Sequence, residues 1–214
     1  MSQFTFKNFY RRNLPHIQPE GATLFITFRL ANSLPKEVIG KFLTEKEETE
    51  KKINQIADKE EQEKQFDLAQ RRFFGKWDDA LDSLAYGKKY LSEPHVADLV
   101  AESLLYRNGK VYDLEAFSIM ATHAHLVCSP IEESEGKYHS ISKIMHSLKL
   151  HTALEANKIL ERDGTFWQHE NYDHYVRDEN ELERIIKYVI YNPVKAGLVD
   201  GWKKWKWMYC KYNL

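Results

Sequence analysis

MATHAHLV, residues 120–127, is the most informative stretch of the sequence: two histidines lie one residue apart in a run that otherwise resembles a buried strand. Successive side chains of a strand point to opposite faces of the sheet, so His123 and His125 share one face and Ala124 lies on the other. Two imidazoles on one face can bind a single metal ion. The same pattern is typical of core or surface histidines with ordinary hydrogen-bond partners, so this stretch alone leaves both interpretations open.

Strand patterns surround the histidine pair. Two apolar runs, residues 110–120 and 123–128, are separated only by Ala121 and Thr122, which is typical of adjacent strands joined by a tight turn. Further upstream, residues 22–30 are rich in β-branched and aromatic side chains and predict a first core strand. The histidines are therefore expected on a rigid, central part of a sheet.

Helical patterns alternate with these strands. Residues 93–106 and 140–160 have apolar side chains at helical spacing and predict amphipathic helices. Residues 166–176 are rich in aromatics and imidazoles and predict a strand or an ordered loop. A last helix is expected to begin after Asp178, whose carboxylate can cap it, and to end near residue 191, at the Asn-Pro dipeptide. The role of residues 4–15, which mix aromatics and arginines, stays open between an arm and an edge strand.

Length and composition predict one large domain or two small ones with a proper core, since the chain has 214 residues and 43% hydrophobic content. Two cysteines are too few for a disulfide framework. The sequence has no apolar N-terminal segment and no run approaching the ~20 apolar residues of a membrane helix. We therefore expect a soluble, cytoplasmic protein without membrane partners.

Charge is segregated along the chain. Residues 44–68 hold nine Asp or Glu and five Lys, a net of −4, which leaves +3 on the rest of a chain whose total is −1. Residues 36–75 predict a charged helical insertion, either a solvated hairpin or a dimerising coiled coil. The RRFFGKW cluster at residues 71–77 suits base stacking with phosphate contacts, or a hydrophobic seam of the insertion.

Several motifs in combination resemble the single-tyrosine HUH transposases, and most closely the REP-associated tyrosine transposases. The motifs are HAHLV at residues 123–127, FWQ at 166–168, YDH at 172–174, RD at 177–178 and YVIYNPVKAG at 188–197. The resemblance covers the first core strand and everything from about residue 110 to residue 202. The insertion is longer than in compact members of the family.

The resemblance implies an α+β fold, with a ferredoxin-like antiparallel sheet flanked by helices in a single domain over residues 1–214 that carries the insertion. It also implies that His123 and His125 hold a divalent ion and that Tyr188 is the nucleophile. Tyr188 and Asn192 lie one turn apart on a flank of the last helix outside its apolar stripe. Two imidazoles and a side-chain oxygen suit Mg²⁺ or Mn²⁺, so Asn192 is the candidate third ligand.

The implied activity is that of a DNA transposase, which cleaves and rejoins single-stranded or hairpin DNA through a 5′-phosphotyrosine. The chain would act as a monomer or homodimer. Cationic candidates for DNA binding are Lys143, His146, Lys149, Lys195, Lys203, Lys204 and Lys206. The tryptophans among the last lysines can stack on bases or complete the core. Two alternatives stay open: a domesticated, catalytically weak protein that binds hairpin DNA, and a metalloprotein unrelated to DNA in which the histidines bind Zn²⁺.

Overall fold

The computed structural model describes residues 9–11, 15–17, 20–83 and 86–213, with side chains from residue 20 onwards. The chain divides into two compact units: a helical unit, Asn32–Lys88, and a sheet unit formed by the residues up to Ala31 and from Lys89 onwards. Of residues 4–15, the described ones belong to a small hairpin, and the rest lie outside the described residues.

The helical unit is the predicted insertion, built from α1 (Lys36–Ile53) and α2 (Lys59–Asp82). Asp58 caps α2 by accepting a hydrogen bond from the Glu61 backbone N–H. Phe42 and Phe73 pack against Trp77, with ring centroids 5.9 and 5.7 Å from that of Trp77. Phe73 and Trp77 of the RRFFGKW cluster therefore belong to the small apolar core of this unit.

The sheet unit contains the remaining elements. In chain order these are β1 (Phe9–Arg11), β2 (Pro15–Ile17), β3 (Leu24–Arg29), α3 (Pro94–Arg107), β4 (Tyr112–Ile119), β5 (His123–Pro130), β6 (Glu132–Ser134), β7 (Lys137–Tyr138), α4 (Ile141–Ile159), β8 (Tyr172–Tyr175), α5 (Glu179–Lys195) and β9 (Met208–Cys210). Among the described residues, no helix combines the length and the apolar character needed to cross a membrane.

The main sheet has the strand order β8-β3-β5-β4-β9, with every neighbouring pair antiparallel. The series β3, α3, β4, β5, α4, β8 gives a βαββαβ connection in which the fourth strand lies beside the first, and the third lies between the first and the second. This is the ferredoxin-like arrangement, so the predicted fold class is confirmed. β9 extends the sheet beyond β4, and the pairs β1-β2 and β6-β7 form small separate hairpins.

The two faces of the main sheet have different roles. Leu24, Ile26 and Phe28 of β3 point to the face where α3 and α4 pack, and Leu126 of β5 joins them in one buried apolar cluster. Strand alternation sends the residues between them to the opposite face. That face carries the two histidines of β5. Because α3 and α4 cover the other face, α5 can pack on the face with the histidines.

The last helix extends further than the sequence predicts. α5 runs through Pro193 to Lys195, although the Asn-Pro dipeptide was expected to end it. The proline removes one backbone N–H, but the helix still closes one turn later. There Gly197, with φ of 70°, donates to the Val194 carbonyl and Leu198 donates to that of Pro193. Asn192 is therefore a helical residue, one turn beyond Tyr188.

Deletion of the helical unit is expected to leave the sheet unit folded. The two ends of the helical unit are adjacent, because a Cβ placed on Gly87 would lie 2.7 Å from the Asn32 carbonyl oxygen. A short Gly/Ser linker in place of residues 34–86 can therefore close the gap. Far-UV circular dichroism should lose helical signal while thermal unfolding stays cooperative. Aggregation or non-cooperative melting would show that the sheet unit requires the insertion.

Candidate active site

The two predicted histidines converge on one point. Both point from β5 to the same face, and their Nε2 atoms are 3.2 Å apart. The ring centroids are 4.7 Å apart and the ring planes meet at 75°. Both side chains are fully buried. The strand alternation expected from the sequence therefore places two imidazole nitrogens where one ligand can contact both.

Two threonines hold the outer nitrogens of these rings. Thr27 Oγ1 lies 2.8 Å from His125 Nδ1, and Thr122 Oγ1 lies 3.1 Å from His123 Nδ1. When each Nδ1–H donates to its threonine, each Nε2 presents a lone pair to the other. Two lone pairs at this distance repel, and a cation bound by both removes the repulsion. In that tautomer both Nε2 lone pairs can bind the same cation.

Burial keeps the imidazoles neutral. It lowers the pKa of His123 to about 3. It also lowers the pKa of His125, with smaller contributions from nearby His123 and Lys195. Neutral imidazole is the form that coordinates metals, so protons do not compete for these nitrogens near neutral pH.

The donor set fits a divalent cation. Two ligands about 2.2 Å from one ion and at about 90° to each other are about 3.1 Å apart, and the two Nε2 atoms are separated by 3.2 Å. Asn192, the predicted third ligand, is buried with its Nδ2 3.1 Å from His125 Nε2. An amide nitrogen does not bind metals, so a ligand role requires the amide to rotate by 180° and present its oxygen.

Tyr188 lies next to this group. Its hydroxyl is 3.5 Å from Asn192 Nδ2, and its ring centroid is 5.8 Å from that of His125. The Phe25 ring packs edge-on against the tyrosine, with centroids 6.2 Å apart. The one-turn spacing on α5 therefore brings the phenol, the amide and the histidine pair into one site.

Of the predicted cationic residues, Lys195 is brought to this site, with its Nζ 6.0 Å from the centre of the Tyr188 ring. Lys143, His146 and Lys149 lie instead on α4, in the layer that packs against the opposite face of the sheet. The Lys149 amine donates to the carbonyls of residues 168 and 169, and burial lowers its pKa to about 7. The helix that carries these three residues therefore lies on the other side of the sheet from Tyr188.

The three C-terminal lysines have local partners. Lys204 pairs with Asp200 at 2.8 Å, Lys206 pairs with Asp98 at 2.8 Å, and the Lys203 amine lies 5.0 Å from the centre of the Trp202 ring.

The neighbouring tryptophans are fixed by hydrogen bonds. Trp205 Nε1 donates to the Ile119 carbonyl, and Trp207 Nε1 donates to Asp98. These bonds favour the structural role over base stacking for both rings.

Thr27 and Thr122 are residues of the candidate site that the sequence patterns did not indicate. Thr122 is next to His123 in the chain, and that adjacency was the available signal. Thr27 is opposite His125 through the β3–β5 register. A local sequence pattern does not specify the register between distant strands.

Comparison with known proteins finds a sequence relative and a solved structure with the same fold. No protein-family model matches the chain. A Haemophilus influenzae protein named as a REP-associated tyrosine transposase is 26% identical over 99 residues, which cover 44% of this chain and 56% of the relative. The chain therefore matches little more than half the length of that relative.

The solved structure of a REP-associated tyrosine transposase bound to a REP hairpin has the same fold. It aligns with a TM-score of 0.52 and 13% identity over 94% of this chain and 82% of the other. The resemblance of this chain to the REP-associated tyrosine transposases, predicted from its motifs, is confirmed.

Proposed function

We propose that this chain is a DNA transposase that cleaves and rejoins single-stranded or hairpin DNA through a 5′-phosphotyrosine, with a divalent metal ion. The observation that carries the proposal is the convergence at one site: Tyr188 hydroxyl to Asn192 amide at 3.5 Å, Asn192 amide to His125 Nε2 at 3.1 Å, and His125 Nε2 to His123 Nε2 at 3.2 Å. The names of the sequence relative and of the protein with the same fold support the same class of reaction.

Tyr188 supplies the nucleophile. Its phenolic oxygen attacks the phosphorus of a phosphodiester, and the P–O3′ bond breaks as the P–O(tyrosine) bond forms. The phenol loses one proton and the departing 3′ oxygen gains one, which leaves a free 3′-OH on the released strand. A bound Mg²⁺ or Mn²⁺ supplies positive charge that stabilises the negative charge on the phosphate and the departing oxygen.

The surrounding side chains prepare this step. His123 and His125 are the residues that would hold the ion, and their threonine partners fix the ring orientation. Asn192 would be the third ligand, with its amide oxygen turned to the ion. Lys195 brings a positive charge beside the Tyr188 ring, where it favours a phosphate and a phenolate. The neutral, buried histidines keep the site available to a cation at the pH of the cytoplasm, where we propose the protein acts.

The covalent product explains rejoining. A phosphotyrosine keeps the energy of the broken phosphodiester, so a 3′-OH from a second strand can attack it and release the tyrosine. Strands are then joined without ATP. This reversal distinguishes a transposase from a nuclease, in which water ends the reaction.

Labelled single-stranded and hairpin oligonucleotides with Mn²⁺ test the proposal. We expect a protein–DNA adduct that survives denaturing electrophoresis, and a joined strand after addition of an oligonucleotide with a free 3′-OH. Hairpin binding without any adduct would instead support the domesticated, catalytically weak protein. Metal binding without DNA binding would support the unrelated metalloprotein.

A further inference from the structure

Glu181 is a buried carboxylate in the first turn of α5, the helix that carries Tyr188. The residue is only 5% exposed. One of its oxygens, Oε1, accepts a hydrogen bond from Arg184 at 3.0 Å and lies 3.3 Å from His174 Nε2. The other oxygen, Oε2, accepts from the Arg177 backbone N–H at 3.1 Å. The carboxylate therefore joins α5 to β8, the strand that contains His174.

Capping of the helix does not account for this arrangement. Asp178 already caps α5, because its carboxylate accepts from the Glu181 backbone N–H at 2.8 Å. Burial opposes ionisation of Glu181, but the Arg177 N–H and the neighbouring His174 and Arg177 side chains outweigh it and lower the pKa of Glu181. A buried anion is stable only with such partners, so their positions relative to α5 are closely defined.

The strand that Glu181 contacts leads directly to the histidine site. His174 is opposite Phe25 in the β3–β8 register, so both side chains point to the histidine face of the sheet. The centroid of the Phe25 ring lies 6.2 Å from that of Tyr188 and 5.7 Å from that of His125. The contact between Glu181 and His174 therefore ties the helix of Tyr188 to the strands that form the site.

Polar contacts hold α5 at two points, and Tyr188 lies between them. Glu181 precedes Tyr188 by about two turns, which is about 10.5 Å along the helix on nearly the same flank. Asn192 follows Tyr188 by one turn, with its amide nitrogen 3.1 Å from His125 Nε2. The rest of the buried side of α5 is largely an apolar stripe, and apolar packing is not directional. The rotation of Tyr188 over the histidine pair therefore depends on these two polar contacts.

We propose that Glu181 is a positioning residue: through His174 it fixes α5 so that the Tyr188 oxygen faces a phosphate bound at the histidine pair. The inference rests on the proposed function and adds to it the residue that aligns the nucleophile. A misplaced nucleophile lowers the rate of the chemical step even when the substrate is bound. Loss of the Glu181 charge is therefore expected to lower the rate at saturating DNA much more than the affinity for DNA.

Glu181→Gln keeps the shape of the side chain and removes its charge. Glu183→Gln is the matched control, because Glu183 lies on the same helix and pairs with Lys187 at the surface at 2.5 Å. At saturating Mn²⁺ and single-stranded DNA, Glu181→Gln should form the adduct about 100-fold more slowly, with DNA affinity within about threefold of wild type. The control should match the wild-type protein in both measurements.

A second-site change tests whether His174 transmits the effect. The double variant Glu181→Gln with His174→Glu returns a carboxylate to the cluster from β8, where it can accept a hydrogen bond from the amide at position 181. We expect this double variant to recover most of the lost rate. His174→Glu alone places two carboxylates together and should form the adduct slowly. A double variant as slow as Glu181→Gln would show that His174 does not transmit the effect.

Hydrogen exchange measures the order of α5 without DNA. In Glu181→Gln the backbone amides of α5 around Tyr188 should exchange at least about 10-fold faster than in the wild-type protein, while those of β5 keep their rates. Unchanged exchange in α5 would overturn the proposal, and so would a variant that loses DNA affinity as strongly as it loses rate.

His174→Gln decides the matter if Glu181→Gln speeds exchange in β5 as well, since it leaves the buried carboxylate in place. It should slow adduct formation about 10-fold with normal DNA affinity, and a wild-type rate would overturn the proposal. A wild-type protein that forms no adduct would count against the transposase. The exchange rates of α5 would still decide whether Glu181 holds the helix.

Discussion

Tyr188→Phe is expected to abolish the covalent protein–DNA adduct and to lower DNA cleavage by at least about 1000-fold. The substitution removes only the nucleophilic oxygen. The ring keeps its packing against Phe25 and His125, so hairpin affinity should stay within about threefold of wild type. Denaturing electrophoresis measures the adduct, and fluorescence anisotropy with a labelled hairpin measures binding.

Tyr191→Phe is the matched control. Tyr191 lies three residues further along α5, is 48% exposed and has its ring beside Trp202. The Tyr191→Phe variant should cleave DNA like the wild-type protein. Full cleavage by Tyr188→Phe together with loss in Tyr191→Phe would reassign the nucleophile to Tyr191.

His125→Ala should remove metal binding and metal-dependent cleavage together. Loss of one of two imidazole ligands should weaken Mn²⁺ affinity by at least about 100-fold in calorimetry. His123→Ala should behave in the same way. In the wild-type protein a chelator should stop cleavage, and added Mn²⁺ or Mg²⁺, but not Ca²⁺, should restore it.

Two further variants sharpen this result. Thr27→Val keeps both imidazoles but removes the hydroxyl beside His125 Nδ1, and should lower metal affinity about 10- to 100-fold. His146→Ala changes an exposed histidine of α4 and should leave Mn²⁺ binding unchanged. Cleavage that continues at full rate in the presence of a chelator would disprove the metal assignment.

Much of the fold could be predicted because its patterns are local. The β-branched and aromatic run at residues 22–30 became β3, and the apolar spacing at residues 140–160 became α4. The alternation around the histidines correctly predicted that both lie on one face. Each of these signals depends on the order of side chains within one element.

The placement of the DNA-binding candidates could not be predicted in the same way. Helical periodicity identifies the apolar side of α4, but it does not say which face of the sheet that side covers. In the structure, Lys143 and Lys149 belong to the helix on the face of the sheet opposite Tyr188. Lys195 shares a helix with the tyrosine and lies beside it. The partner of His125 was likewise hidden, because Thr27 is distant in sequence and meets it only through strand register.

The end of α5 shows a different limit. An Asn-Pro dipeptide usually marks a helix end, but here the helix runs past Pro193 to Lys195 and ends where residues 197 and 198 donate to the carbonyls of residues 194 and 193. Asn192 therefore lies inside the helix, one turn beyond Tyr188, as the helical spacing predicted. The dipeptide alone places the end of the helix too early.

Mass spectrometry of the adduct is the most direct measurement. The wild-type protein is incubated with Mn²⁺ and a single-stranded oligonucleotide, the adduct is digested with protease and nuclease, and the modified peptide is sequenced. We predict a nucleotide linked through its 5′ phosphate to the Tyr188 oxygen, with the released strand ending in an extendable 3′-OH. A nucleotide on another residue, or cleaved DNA with no protein-linked phosphate, would contradict the proposal.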